Sequence, residues 1–355
     1  MVDEIFPVPE SELLYLRARL ESCRYPDLTY LDGWQRGVDE HFFRELIEYW
    51  LDAYDWRQHE SRILALPWET VACQEGILNI VHRCACPEAQ AVVLLHGWPD
   101  SVLRFEKILP LLSDVAVVIP ALPGFPFSHK LPASRTSVAT MATLIGEAMA
   151  ELGYSRYVVS GGDVGADVAE CLATRFPDNV SALHLTNISP LHAVFADRQS
   201  LDAASLAYLS DVVLWQRSEG GYIAQQSTRP HTLAFALADS PAGLAAWIAE
   251  KLYYWSDIPF SKDDIITWVC AYWFTEKIGT SFIPYVDYER PADYVNTPTV
   301  ISAFSNDIKP APQSFIERFI NVRAFRKHAS GGHFAAWECP EEYVADLREA
   351  LNLAL

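Results

Sequence analysis

The segment Gly161-Gly162-Asp163-Val164-Gly165-Ala166 constrains this chain more than any other. The apolar run Tyr157-Val158-Val159-Ser160 precedes it, and Val168-Ala169-Glu170-Cys171-Leu172-Ala173 follows with the character of a helix. Small residues on both sides of Asp163 permit a sharp strand-to-helix turn that lifts its side chain off a sheet. The spacing is that of a nucleophile elbow, G-x-S-x-G, with Asp in the Ser position. A plainer reading stands beside it, because Asp is also a favoured helix cap. If Asp163 is a nucleophile, its identity sets the reaction class. A carboxylate that attacks an alkyl carbon makes the protein the acyl half of an ester, which water must then cleave. The partner in such a reaction carries an electrophilic sp3 carbon, as in an epoxide or an alkyl halide.

Around this segment the period of the chain changes three times. Residues 9–66 read as a helical arm: Leu13, Leu16 and Leu20 share one face, and Phe43, Leu46, Ile47 and Trp50 share another between Glu40 and Tyr54. Trp34, Trp50, Trp56 and Trp68 suit an arm that packs down on something. Strands follow at Glu69–Cys73 and Ile77–His82, with Glu75-Gly76 as a hairpin turn. Ala91–Leu95 and Val115–Ile119 are continuous apolar runs of the kind buried on both faces of a parallel sheet. A helix at Val138–Leu152, the elbow strand and a strand near Ser181–Leu185 continue the alternation, which predicts a doubly wound α/β sheet. From Ile188 to Asn296 the chain reads as mostly helical and rich in Trp and Tyr. Strand and helix resume at Pro298–Phe304, Val322–Phe325 and Pro340–Leu353. The organisation expected is therefore an arm at 1–66, a core at 67–187 and 297–355, and a helical cap at 188–296 over the edge where such sheets bind ligands.

Composition limits the partners. The 355 residues are 50% hydrophobic and 21% charged, with a net charge of -19, which argues against nucleic acid or an anionic membrane as partner. Met1-Val2-Asp3-Glu4-Ile5-Phe6-Pro7 lacks the basic and apolar regions of a signal peptide, and no apolar run approaches the roughly 20 residues of a bilayer span. Seven cysteines at irregular positions fit reduced thiols, and the default expectation is a cytoplasmic protein. Cys84-Ala85-Cys86 lacks a second pair at ligand spacing, so no metal is expected.

Two further stretches belong with the elbow. His96-Gly97-Trp98-Pro99 follows the strand ending at Leu95, where backbone N–H groups complete an oxyanion hole with the residue after the nucleophile. The donors would be Trp98 and Val164. Gly331-Gly332-His333-Phe334 follows the last strand and closes the nucleophile, acid, histidine order. Histidine suits the activation of water. The acid that orients it is expected at a strand end, and Asp307, just past Ile301-Ser302-Ala303-Phe304, fits. Glu338, read as a solvated helix start, and Asp293, read as a loop charge, remain competitors. An epoxide would also need a hydroxyl donor for its leaving oxygen, and composition cannot choose among 16 tyrosines.

These residues resemble the epoxide hydrolases of the α/β-hydrolase fold, and among them the microsomal type with an N-terminal arm. The resemblance covers nearly the whole chain. It runs through Asp52-Ala53-Tyr54-Asp55-Trp56-Arg57, the His96 and Gly161 motifs, Gly221-Tyr222-Ile223-Ala224-Gln225-Gln226-Ser227-Thr228-Arg229-Pro230, the cap segment Asp239–Lys251, and Gly331–Glu338. It implies an α/β-hydrolase core, a mostly parallel sheet with a helical cap and N-terminal arm, and hydrolysis of an epoxide to a vicinal diol through a covalent ester at Asp163. By motif it also implies that Tyr222 and Tyr285 are the cap acids that hold the epoxide oxygen, and that Asp307 occupies the acid position. Three departures stand out. Asp100 replaces the usual Gly, Val164 the common Trp, and the membrane-anchoring helix of the animal enzymes is not found, so a soluble form is expected. The resemblance implies no metal or organic cofactor.

Two rivals are carried. A haloalkane dehalogenase would need halide-binding N–H donors near Asp163; Trp98 offers one, and the Val164 side chain offers none. A non-catalytic hydrolase-fold ligand-binding protein would tend to lose a catalytic residue, and none is missing, although Asp100 beside the oxyanion loop could disfavour a developing negative charge. The expected partner is a small epoxide, bulky and apolar to suit an aromatic-rich cap. Whether the chain forms a homodimer stays open.

Overall fold

The computed structural model describes residues 7–28, 33–86, 88–129 and 137–355. Six residues of the N-terminal stretch read above for a leader, and residues 29–32 of the arm, lie outside the described residues.

Eight strands form one sheet: β1 (Trp68–Ala72), β2 (Ile77–Arg83), β3 (Ala91–Leu95), β4 (Ala116–Pro120), β5 (Tyr157–Gly161), β6 (Val180–Leu185), β7 (Val295–Phe304) and β8 (Ile320–His328). Their spatial order is β1-β2-β4-β3-β5-β6-β7-β8. β1, β2 and β4 pair antiparallel, and every pair from β4 to β8 is parallel. β3, β4 and β5 are buried along their whole length, as continuous apolar runs require when helices cover both faces. Gly161 faces the helix Val164–Arg175, since a Cβ there would sit 2.4 Å from the Gly165 carbonyl oxygen. Its neighbour Ser160 points the other way, its hydroxyl 2.7 Å from that of Tyr343 in the helix Pro340–Leu353. Successive side chains alternate across a sheet, so these two helices lie on opposite faces.

Between β6 and β7 the chain forms a layer of helices from Leu191–Phe195 to Ile283–Val286. β7 begins at Val295, one residue before the expected end of the cap. Its extra length is pairing with β8 at Val295 and Ile320, which a sequence containing Pro298 concealed. The described arm is made of the helices Glu10–Glu21, Glu40–Asp52 and Trp56–Leu64. It lies chiefly on the cap. Trp34 stacks on Tyr253 at 3.8 Å, the Tyr49 hydroxyl donates to Asp263, and Tyr54 shares a hydrogen bond with Thr267. Arg62, 3.5 Å from Glu106, joins the arm to the core.

Among the described residues no single helix is long and apolar enough to cross a membrane. Pro230–Asp239 and Pro241–Tyr254 reach that length only together, and they are bent by 116°.

Candidate active site

Asp163 sits between the end of β5 and the helix Val164–Arg175 with φ of +56°, a conformation rarely adopted by a residue with a side chain. Two glycines make it possible. A Cβ on Gly165 would lie 2.3 Å from the Leu95 carbonyl oxygen, and one on Gly97 would lie 2.5 Å from the Asp163 side chain itself. The Asp163 N–H is anchored by Asn187 just past β6, donating to its Oδ1 at 2.8 Å. Strain of this kind persists only where the surroundings hold it.

The Trp98 N–H donates to Asp163 Oδ1 at 2.8 Å. The Val164 N–H opens the helix, so it has no helical carbonyl to bond and remains available beside the same carboxylate. Asp100 does not face this pair of donors. Its Oδ1 accepts the Gly97 N–H at 2.7 Å and its Oδ2 lies 2.6 Å from Arg104 Nη1. Burial alone would raise the Asp100 carboxyl, but the Arg104 guanidinium and His96 bring it down to about 2. Arg104 in turn donates to the His333 carbonyl oxygen at 2.5 Å. The charge that could have opposed an oxyanion is thus neutralised, and it braces the oxyanion loop against the histidine loop.

His333 stands between two carboxylates. Nδ1 is 2.7 Å from Asp307 Oδ1, and Nε2 is 3.5 Å from Asp163 Oδ2. Burial works against a charged imidazole, yet Asp307 and Asp163 together raise it to about 10. Asp307 lies three residues beyond β7, with Oδ1 also accepting the Ile308 N–H. The competitors are placed elsewhere. Asp293 is exposed and pairs with Arg290, as a loop charge does. Glu338 is no solvated helix start: it is buried and accepts four backbone N–H groups, from Asp257, Ile258, Gly332 and Phe334. It ties the His333 loop to the cap.

Tyr222, in the helix Gly221–Thr228, and Tyr285, in Ile283–Val286, have ring centroids 6.0 Å apart. Trp98 stacks on Tyr222 at 5.5 Å and meets Tyr285 edge-on at 5.9 Å. Behind Tyr222, Lys251 lies 4.8 Å from its ring centre, and Trp247 donates to Gln226, which is why the two cap segments belong together. Burial, with Asp163 second, holds both phenols well above their ordinary value, so both keep a proton that can be donated. Asp163, Val164, Tyr222, Tyr285, Asp307 and His333 all line one cavity of about 870 Å³. That is ample for a small organic ligand. Its wall is not uniformly apolar as the aromatic cap suggested: Asp167, Glu170, Arg198 and Arg290 line it too.

Comparison with known proteins fits this geometry. Residues 5–105 match the Epoxide hydrolase N terminus family and residues 90–228 the alpha/beta hydrolase fold. A Stigmatella aurantiaca protein, named provisionally as an epoxide hydrolase, is 33% identical over 97% of this chain and 83% of its own. The chain belongs to the epoxide hydrolase family. The Aspergillus niger epoxide hydrolase structure superposes with a TM-score of 0.90 at 29% identity, covering 99% of this chain and 95% of that one. The juvenile hormone epoxide hydrolase of Bombyx mori gives 0.87 at 26%, covering 98% and 93%. A Bradyrhizobium elkanii haloalkane dehalogenase variant, at 19% and 0.59, shares the fold alone.

Sequence reading of this epoxide hydrolase missed Asn187, Arg104 and the bracing role of Glu338. The spacing Asp100 to Arg104, one helical turn, was a signal for the buried pair. Asn187 and Glu338 act through backbone groups, which leave no pattern in a sequence.

Proposed function

We propose that this epoxide hydrolase works in two covalent steps centred on Asp163. Asp163 Oδ2 attacks an epoxide carbon, the carbon–oxygen bond breaks, and the departing oxygen takes a proton from Tyr222 or Tyr285. The product of this step is a hydroxyalkyl ester. Esterification removes one of the two negative charges beside His333, so its affinity for a proton falls; the proton it held passes to the tyrosinate, directly or through solvent, and the neutral imidazole becomes a base. It then draws a proton from water, which attacks Asp163 Cγ. Negative charge collects on Oδ1, the oxygen already bonded to the Trp98 N–H, with the Val164 N–H beside it. Collapse breaks the Cγ–Oδ2 bond, the departing oxygen takes the hydrogen left on the attacking oxygen, and a vicinal diol is released from the restored Asp163 carboxylate.

The observation that carries this reading is the division of labour at Asp163. One oxygen is held by a backbone N–H and the other faces His333, which Asp307 orients. A dehalogenase reading is weaker, because the Trp98 side chain is buried against Tyr222 and Tyr285 and is not among the residues lining the cavity. The seven free cysteines, two of them exposed, support a reducing compartment and hence the cytoplasm.

A single turnover in heavy-oxygen water with a simple alkyl epoxide tests the route. The first diol should carry unlabelled oxygen from Asp163, and the label should appear in the peptide containing Asp163. Label entering the first diol directly would sink the ester mechanism.

A further inference from the structure

The helix that begins at the nucleophile turns a polar face to the cavity. Asp163, Asp167, Glu170 and Thr174, at positions i, i+4, i+7 and i+11, all line it. Two of the last three are satisfied within the protein: Glu170 accepts from the Ser189 N–H and from His192, each at 2.7 Å, and Thr174 donates to the Glu170 carbonyl. Asp167 is the exception. The Ser189 side chain hydrogen-bonds its carboxyl, but Oδ1 is shielded from solvent and has no partner among the described residues. Its charged neighbours are Asp163 and Glu170, both acidic. Leaving a polar atom unmatched in this way is expensive, and such atoms cluster where a ligand completes them.

We propose that Asp167 is a specificity-determining residue, donating a hydrogen bond from its carboxylic acid to an uncharged acceptor oxygen on the substrate, one helical turn from the carbon that Asp163 attacks. Burial, then Glu170 and Asp163, raise this carboxyl to about 8 against the pull of Ser189, so at neutral pH it holds the proton it would donate. Side chains four apart on a helix are roughly 5–6 Å apart at their roots. The substrate class is therefore an epoxide bearing an ether or carbonyl oxygen about four bonds from the ring, rather than a plain hydrocarbon epoxide. This rests on the covalent mechanism proposed above.

The test compares 1,2-epoxy-5-methoxypentane with its carbon isostere 1,2-epoxyheptane. Wild type should favour the ether by about tenfold in kcat/KM, expressed mainly in KM, because a site that pairs with a polar group discriminates against the analogue lacking it. Asp167→Leu should bring the ratio to about one, and Asp167→Asn, whose amide still donates, should restore it to within about threefold of wild type. An unchanged ratio in Asp167→Leu would overturn the proposal, as would equal rates for the two epoxides in wild type. Should Asp167→Leu not fold, moving the methoxy oxygen one carbon either way in wild type decides the matter: preference should peak at one spacing, and a flat profile counts against Asp167. If wild type turns over neither epoxide, the assigned substrate class is wrong and the proposal fails, while the covalent route is judged separately by the isotope label at Asp163.

Discussion

In the proposed mechanism the imidazole of His333 does opposite things at two moments, and the carboxylates around it account for both. With Asp163 free, two negative charges face the ring and raise it to about 10 despite burial. With Asp163 esterified, one is gone. Removing the base should therefore trap the ester. We expect His333→Gln to form about one equivalent of diol precursor on the peptide containing Asp163, visible by mass, with steady turnover lower by on the order of 10^4-fold or more. Asp163→Ala should lose turnover to the same degree and show no adduct. The same charge bears on stability. Its folded value lies above the unfolded value of roughly 6.5, so the stabilisation is complete below that pH and is lost as pH rises through about 10. Urea unfolding at pH 7 and pH 10 should show a larger loss in wild type than in His333→Gln.

Secondary structure elements carried most of the legible information. Continuous apolar runs marked β3, β4 and β5, and the closing helix appears at Pro340–Leu353, where the resumed alternation of strand and helix put it. Asp163, Asp307 and His333 lie at strand ends, positions that chain order makes readable, and the sheet brings them together. What stayed hidden are side chains whose partners are backbone groups far away in sequence. Glu338 is the clearest case: it holds Asp257 and Ile258 from the cap together with Gly332 and Phe334. Glu338→Ala would leave four N–H groups without that acceptor, and we expect a loss of about 3 kcal/mol in urea unfolding. A second buried network spans the opposite face, where His184 bridges Ser160 and Ser302. Burial, with His328, lowers His184 to about 4 against the opposing charge of Asp346. The neutral ring contributes stability that is present above roughly 6.5 and is lost as pH falls towards about 4. His184→Asn should flatten acid unfolding across that window.

At the scale of the whole molecule, the two steps of the proposed mechanism would draw on different parts of the chain. Ring opening would need Asp163 from the core and the hydroxyls of Tyr222 and Tyr285 from the cap. Ester hydrolysis would need His333, Asp307 and the Trp98 N–H, all from the core. The cap is placed over the core by the stack of Tyr222 on Trp98, and it is backed from outside by the arm through Trp34 on Tyr253 and Tyr54 against Thr267. Loosening the arm should therefore act on one step and spare the other. In a Trp34→Ala, Tyr54→Phe double variant the phenol hydroxyls would spend less time over the epoxide oxygen, while the triad would keep its geometry. Rapid-quench single turnovers should show ester formation slowed by about tenfold, equivalent to roughly 1.4 kcal/mol of lost positioning, with ester decay within about twofold of wild type. Equal slowing of both steps would mean that the arm supports the fold as a whole and has no separate hold on the cap.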